Sequence, residues 1–161
     1  HLSKTLFIVF LRLDICLTKM GCIVYQKGLY YKSKEKEMGY RSEVILAVGP
    51  EVMPQFMVTM AKSPKARELC WADHDEMVKD YCDIKGAFLF RWGGIKWYDS
   101  YEEIQAIQDF IDWCENETIE VEGKEVSADD YYRFVRIGEE MDDNEVQGWG
   151  FDIHIERTAT Y

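Results

Sequence analysis

Apolar and polar residues along the chain alternate, or recur at helical spacing, in a series of short segments. The apolar run at 42–49 predicts a buried strand or a short helix. Pro50, directly after it, suits the first turn of a helix that continues to about Ala61. A serine cap followed by a proline at 63–64 predicts a second helix that ends near Asp83. The apolar stripe of that helix would consist of Ala66, Cys70, Met77 and Tyr81.

Gly93-Gly94 stands between two aromatic segments, 88–92 and 95–99. Two glycines between two β-type segments are typical of a tight hairpin, because its turn requires positive φ angles. The pairing would place Trp92 beside Ile95. A phosphate-binding loop would instead lead from a strand directly into a helix, and here a second strand intervenes. We therefore predict a hairpin and no phosphate loop.

The next segment predicts an amphipathic helix over about 101–115. Ser100 and Glu103 have the spacing of a capping box. The apolar positions that follow at helical spacing are Ile104, Ile107, Ile111 and Cys114, flanked by Phe110 and Trp113. The polar face would carry Asp109, Asp112 and Glu115.

Shorter elements are predicted in the last third of the chain. Residues 118–127 predict a small hairpin that turns at Glu122-Gly123. Aromatic and β-branched residues over 131–137 favour a strand. Residues 138–150 predict an acidic loop bounded by glycines, and 151–160 alternate as a half-buried terminal strand.

The first residues differ from the rest of the sequence. Residues 1–19 are expected to be a leader-like N-terminal extension, with a strand over Leu6–Leu13 and an apolar run too short to span a bilayer. Met20 has the pattern of a natural start, so a single domain is expected over 20–161. Within it, 21–33 predict two short strands or one bent strand.

These elements together predict the fold class. We expect one α+β domain in which a mainly antiparallel sheet packs against two or three helices, the main ones at about 64–83 and 101–115.

The distribution of charge along the chain limits the functions that the sequence can have. The net charge is −11, with 13 Lys and Arg against 11 Asp and Glu in residues 1–85 and 6 against 19 in residues 86–161. So acidic a second half repels phosphate backbones, which argues against direct nucleic-acid binding. It fits plain solubility, a basic protein partner, or mimicry of nucleic-acid charge.

The cysteines predict neither a disulfide framework nor a zinc site. There are five, an odd number, with no closely spaced pairs, and a reducing cytosol fits them best. Cys70 and His74 would share a helix face and could contact a metal or form a nucleophile–base pair. A core cysteine and a surface histidine are the simpler interpretation.

The sequence predicts neither a calcium loop nor an established catalytic motif. Counted from Asp143, Gly148 occupies the sixth position of a calcium loop, but His154 stands where that loop needs glutamate. His154 itself lies between acids and is interpreted either as a general base or as an exposed, ion-paired residue. The sequence has none of the established nucleotide-binding, zinc-protease, serine-hydrolase or kinase motifs, so we predict no cofactor and no metal.

Two segments, "GIKWYDSYEEIQAI" at 94–107 and "YRFVRIGEEMDDNE" at 132–145, resemble small accessory proteins of tailed bacteriophages. The resemblance covers about the second half of the chain and includes no catalytic motif. It implies the cytoplasm of an infected bacterium and a role in countering or redirecting a host protein.

The sequence therefore favours a binding protein over an enzyme. We expect an acidic, cytoplasmic inhibitor, encoded by a phage, that engages a basic host protein involved in defence or nucleic-acid handling, with no membrane contact. The partner-binding residues would be Glu139, Glu140, Asp142, Asp143, Glu145 and Trp149. Trp149 could instead pack into the core. The alternative function is a small hydrolase that uses a metal, or Cys70 with His74, or His154, on a small molecule or nucleotide.

Overall fold

A computed structural model of the chain describes residues 25–26 and 39–156. The extension at 1–19, with the strand expected over Leu6–Leu13, lies outside the described residues. So does most of the 21–33 segment.

The strands of the described part are β1 (Tyr25–Gln26), β2 (Ser42–Val48), β3 (Glu76–Lys79), β4 (Phe88–Ile95), β5 (Thr118–Val121), β6 (Lys124–Ser127), β7 (Tyr132–Ile137), β8 (Asn144–Gln147) and β9 (Ile155–Glu156). The α-helices are α1 (Met53–Lys62), α2 (Pro64–Trp71) and α3 (Glu102–Asn116). Two short 3-10 turns cover Tyr81–Asp83 and Ala128–Tyr131.

Five strands form the main sheet in the order β3-β4-β2-β7-β8. Every pairing within it is antiparallel. β5 and β6 form a separate hairpin, and β1 pairs with β9 in parallel. The predicted fold class is confirmed: the chain forms a single α+β domain with a mainly antiparallel sheet.

The helices cover one face of this sheet. Because successive residues of a strand point to opposite faces, Phe90 of β4 faces the helices while Leu89 faces away. On the helix side, the Phe56 ring of α1 lies 5.6 Å from that of Phe90 and 5.0 Å from that of Phe110. On the other side, a smaller cluster joins Leu89 to Phe151 and its neighbours.

The predicted hairpin at Gly93-Gly94 is wrong. β4 runs straight through both glycines, because β2 pairs along one of its edges and β3 along the other. The glycines form a bulge in which two residues of β4 stand opposite Glu43 of β2, and Gly94 has a φ of +66°. We call this feature the glycine bulge.

The helix predicted to end near Asp83 is also too long. Ser63 does cap α2, accepting a hydrogen bond from the amide of Ala66 at 3.3 Å, but α2 ends at Trp71. Met77, assigned above to the helix stripe, lies in β3 opposite Phe90. Pairing with β4 satisfies the backbone of this segment and overrides its helical spacing.

The other helices match their predictions except at the first turn. α1 begins at Met53, three residues later than expected, after a turn closed by the Met53 amide on the Gly49 carbonyl. α3 buries the expected apolar face. It begins at Glu102 with Tyr101 as its cap, so the predicted capping box at Ser100 does not form.

The elements at the end of the chain are largely as predicted. The β5–β6 hairpin turns at Glu122-Gly123, where both residues have positive φ, and β7 forms as expected. The predicted loop at 138–150 is not a loop throughout, since it contains β8 paired with β7. In the final segment burial alternates as predicted, but of its described residues only those of β9 pair as a strand.

Candidate functional site

The predicted acidic segment is divided into three parts by the fold. Residues 138–143 form a turn, which we call the acidic turn. It is closed by the Gly138 amide, which donates to the Asp143 carbonyl at 2.7 Å. β8 follows as an edge strand of the main sheet, and Trp149 lies just beyond it.

Two of the predicted binding acids, Asp143 and Glu145, form hydrogen bonds and ion pairs with other residues of the protein. Arg136 of β7 donates to both carboxylate oxygens of Asp143, at 3.0 and 2.8 Å, and to Glu145 at 3.1 Å. The Tyr40 hydroxyl also donates to Asp143. The hydrogen bonds from Arg136, and then that from Tyr40, lower the pKa of Asp143. Asp143 and Glu145 therefore stabilise the fold and are poor candidates for binding a partner.

The other three acids have no such partner in the described part of the chain. Glu139, Glu140 and Asp142 are exposed. Among the described residues, no basic side chain pairs with any of these carboxylates. Met141, in the middle of the turn, is 81% exposed. This part of the predicted site therefore presents negative charge that no basic side chain of the described residues neutralises.

Trp149 is exposed although its backbone is tightly held. Its side chain is 76% exposed, so it does not pack into the core. Its amide donates to the Asp129 carbonyl at 2.9 Å, and the next amide, that of Gly150, donates to Tyr132 at 2.9 Å. The Arg133 guanidinium lies 5.9 Å from the ring centroid. A large apolar ring is thus held in solvent on a fixed backbone.

The glycines beside Trp149 explain how the chain fits there. Gly148 has a φ of +77°, and a Cβ at this position would collide with the Tyr132 carbonyl. A Cβ on Gly150 would meet the Tyr132 amide at 2.5 Å. Only glycine allows this backbone to lie against the 3-10 turn that precedes β7.

A groove beside Trp149 contains residues that the sequence did not indicate. It has a volume of about 530 Å³ and lies between the end of α3, the 3-10 turn at Ala128–Tyr131 and the end of β8. Its charged residues are Glu115, Asp129 and Arg133. The outward position of Glu115 was predicted, but its approach to Asp129 and Trp149 depends on packing between distant segments.

The alternative chemical sites are not assembled as the sequence suggested. Cys70 is buried on α2, where burial raises its pKa to about 12, and its thiol contacts Met60 at 3.7 Å. His74 follows the end of the helix, so the two residues do not share a helix face. In residues 25–26 and 39–156 no group of three or more His, Cys, Asp and Glu could hold a metal ion.

His154 is exposed on the last segment. Its Nδ1 atom lies 3.6 Å from a carboxylate oxygen of Asp152. This arrangement matches the ion-paired interpretation.

Over the described part of the chain, no helix is long and apolar enough to cross a lipid bilayer.

Comparison of the chain with protein-family models, with curated proteins and with solved structures gave no match.

Proposed function

We propose that this protein is an acidic binding protein that engages a basic surface of a partner protein through its C-terminal half. The observation that carries the proposal is the exposure of Trp149 on a rigid backbone, at the other end of β8 from three acids that pair with no described basic side chain. Exposed tryptophans on fixed backbone are effective interface anchors, because they bury a large area at little entropic cost.

The acidic turn and Trp149 are close enough to meet one partner together. They lie at opposite ends of β8, which at about 3.3 Å per residue is ~13 Å long. A stable interface covers about 800 Å² on each protein, which easily includes both ends. Val146 of β8, 43% exposed, adds apolar area between them.

The two parts of this surface would have different roles. Glu139, Glu140 and Asp142 would attract a basic partner and speed its association, an effect that salt screens. Trp149 would supply contact area that excludes water and slows dissociation. We further propose, from the phage resemblance of residues 94–107 and 132–145, that the partner is a host protein of the bacterial cytoplasm involved in defence or nucleic-acid handling. Within the described residues, the Cys70–His74 form of the hydrolase alternative has no supporting geometry, because Cys70 is buried and His74 lies beyond the end of α2.

The test is a pull-down from bacterial lysate with four forms of the protein: the parent, two charge variants and Trp149→Ala. One form carries Glu139→Gln, Glu140→Gln and Asp142→Asn. A matched control neutralises Asp109, Glu120 and Glu122, three exposed acids elsewhere on the surface. We expect the partner to be captured by the parent and the control, and severalfold less by the turn variant at about 50 mM salt, with the difference fading at about 500 mM.

Trp149→Ala should reduce capture about tenfold or more at any salt concentration, with unchanged thermal unfolding. If the turn variant captures the partner as well as the parent does across the salt series, the acidic turn is not the binding site. If Trp149→Ala also binds normally, the proposed surface is wrong.

A further inference from the structure

β8 forms one edge of the main sheet. It pairs with β7 on one side, and in the described part of the chain no strand pairs with its other side. An edge strand presents backbone N–H and C=O groups on which another strand can pair. The direction in which these groups point therefore decides what β8 can bind.

One hydrogen bond determines which backbone groups of β8 face outward. In an antiparallel pair, opposite residues alternate between exchanging both backbone hydrogen bonds and exchanging neither. The Gly138 amide donates to the Asp143 carbonyl at 2.7 Å, directly beside the pair formed by Ile137 and Asn144. Asn144 therefore exchanges no backbone hydrogen bonds with Ile137, and its amide and carbonyl point away from β7.

Val146, two residues further along β8, has the same orientation because the pattern repeats every second residue. Its amide and carbonyl point outward, as does the carbonyl of Asn144. The amide of Asn144 is already used, since it donates to the Asp142 carbonyl at 3.0 Å. In the described structure, the amide of Val146 and the carbonyls of both residues thus remain for an added strand.

β8 lacks two features that often protect an edge strand. Such strands commonly carry lysine or proline, or bend away at an irregular residue. β3, the opposite edge, has Lys79, and the chain then turns at Asp80, which has a φ of +54°. β8 contains neither lysine nor proline, and the side chain of Val146 is 43% exposed. Of the two edges, β8 is therefore the more open to an added strand.

The charges around β8 indicate what kind of strand fits. Glu139, Glu140 and Asp142 precede it, and no basic side chain of the described residues pairs with them. A second copy of this chain carries the same net charge of −11, so long-range repulsion disfavours it as the occupant. A basic segment is attracted instead.

We propose that an extended segment of the basic protein partner adds to β8 as a further strand of the main sheet. It runs antiparallel to β8, as every strand pairing within this sheet does. Its residue opposite Val146 exchanges both backbone hydrogen bonds and presents an apolar side chain, and its lysines or arginines follow a few residues later, at the acidic turn. The inference rests on the proposed function and deepens it, because it specifies the conformation and direction of the partner segment.

The test is amide hydrogen exchange of the full ¹⁵N-labelled chain, followed by NMR. In the free protein, the Val146 amide should be at least about tenfold less protected than the amides of Glu145 and Gln147, which bond to β7. The probe is an acetylated peptide of alternating threonine and valine followed by three lysines. At about 5 mM, for a Kd of about 1 mM, it should slow exchange at Val146 about fivefold. No slowing at this concentration would overturn the proposal.

Modified peptides test the backbone pairing and its direction. A peptide with N-methyl groups on all threonine and valine nitrogens keeps the lysines but cannot pair as a strand, so it should leave Val146 exchange unchanged. A peptide with the lysines placed first should bind severalfold more weakly, because an antiparallel strand then carries them away from the acidic turn. Equal slowing by the N-methylated peptide, or tighter binding of the reversed one, would contradict the proposed pairing.

The free protein tests the other possible occupants of the edge. Protection of the Val146 amide that is the same at about 20 μM and about 1 mM protein would show that another part of this chain covers β8. Protection that rises between these concentrations would show pairing with a second copy. Either result would overturn the proposal.

A variant locates the peptide on β8. Val146→Pro removes the outward amide and leaves the bonds to β7, since proline is tolerated on an edge where its nitrogen faces solvent. It should weaken peptide binding about fivefold or more, measured by the shift of the Gln147 amide signal, whereas Val146→Thr should retain binding. Equal binding by the two variants would exclude β8 as the site. If Val146→Pro does not fold, the N-methylated peptide decides, because it leaves the protein unchanged.

The pull-down separates this proposal from the proposed function. If the acidic-turn and Trp149 variants lose the partner but the peptide does not protect Val146, strand addition is wrong and the binding function stands. If the peptide protects Val146 but both variants capture the partner normally, the surface in the proposed function is wrong and β8 remains an edge that binds basic strands.

Discussion

The glycine bulge and the acidic turn are both rich in carboxylates, but the fold treats their charges differently. At the bulge, the amides of Gly93 and Gly94 donate to the carboxylates of Asp75 and Glu43, the latter at 3.1 Å. Arg91 adds ion pairs to Glu43 at 3.9 Å and to Glu76 at 3.8 Å. In the acidic turn, Asp143 has a donor in Arg136, whereas three other acids have none in the described structure.

The number of acids in a segment therefore does not predict how many of its carboxylates lack a hydrogen-bond donor from the protein. What distinguishes the two regions is how many donors the protein supplies to each carboxylate. The bulge binds the protein's own acids with amides that a phosphate loop would offer to a ligand. In the turn, Glu139, Glu140 and Asp142 have no described donor, which is why we propose that they meet a partner.

The largest expected difference between the two regions concerns a methyl group added to a glycine. A Cβ on Gly138 would collide with the Asp143 carboxylate and the Tyr40 hydroxyl, both held in the Arg136 network. Gly138→Ala should therefore lower the free energy of unfolding by about 2 kcal/mol. Gly94→Ala meets no atom within 4 Å and carries only the strain of its positive φ, about 1 kcal/mol. Urea denaturation of both variants measures the order, and a larger loss for Gly94→Ala would contradict it.

A smaller effect, with a defined pH dependence, is expected at Asp143. Its pKa is lowered in the folded protein, so its ionised form stabilises the fold above its ordinary pKa of 3.8, and this stabilisation is lost as the pH falls below that value. Asp143→Asn should cost about 1 kcal/mol at pH 7, since Arg136 loses a charged partner.

Urea unfolding of parent and variant at pH 7 and at pH 3 tests this expectation. The difference between the two proteins should shrink at the lower pH. A difference that is constant between these pH values would show that the Asp143 charge does not contribute.

The smallest effect is expected at the bulge acid Glu43. Glu43→Gln keeps an oxygen that can accept from the Gly94 amide, and it removes the charge that forms a long, partly exposed ion pair with Arg91. The free energy of unfolding should fall by about 0.5 kcal/mol or less. Glu120→Gln, on the β5–β6 hairpin, is the control, and a loss at Glu43 as large as that at Asp143 would remove the contrast between the two regions.

Local sequence signals predicted the elements that depend on local interactions. α3 followed from the spacing of Ile104, Ile107 and Ile111, and the β5–β6 hairpin from the turn at Glu122-Gly123. The same type of turn signal failed at Gly93-Gly94, because β2 and β3 occupy both edges of β4 and leave no edge on which it can fold back. Helical spacing failed for Met77 for the same reason: a distant strand decided the outcome.

The candidate site also combines residues that the sequence indicated with contacts that only the fold determines. The acids and Trp149 were visible in the sequence, but their availability was not. Arg136 neutralises Asp143 and Glu145 from a neighbouring strand, and nothing in the acidic segment itself distinguishes these two from Glu139 or Glu140. The groove depends on Glu115, Asp129 and Gln147, which come from three separate elements.

The place of β2 in the sheet has a consequence for how the chain folds during synthesis. β2 is an early strand, yet it lies at the centre, with β4 on one side and the late strand β7 on the other. Until β7 has left the ribosome, one edge of β2 has no partner in the main sheet. Pairing of such distant segments is slow, and we expect nascent chains that end before residue 132 to remain sensitive to proteases and to need chaperones.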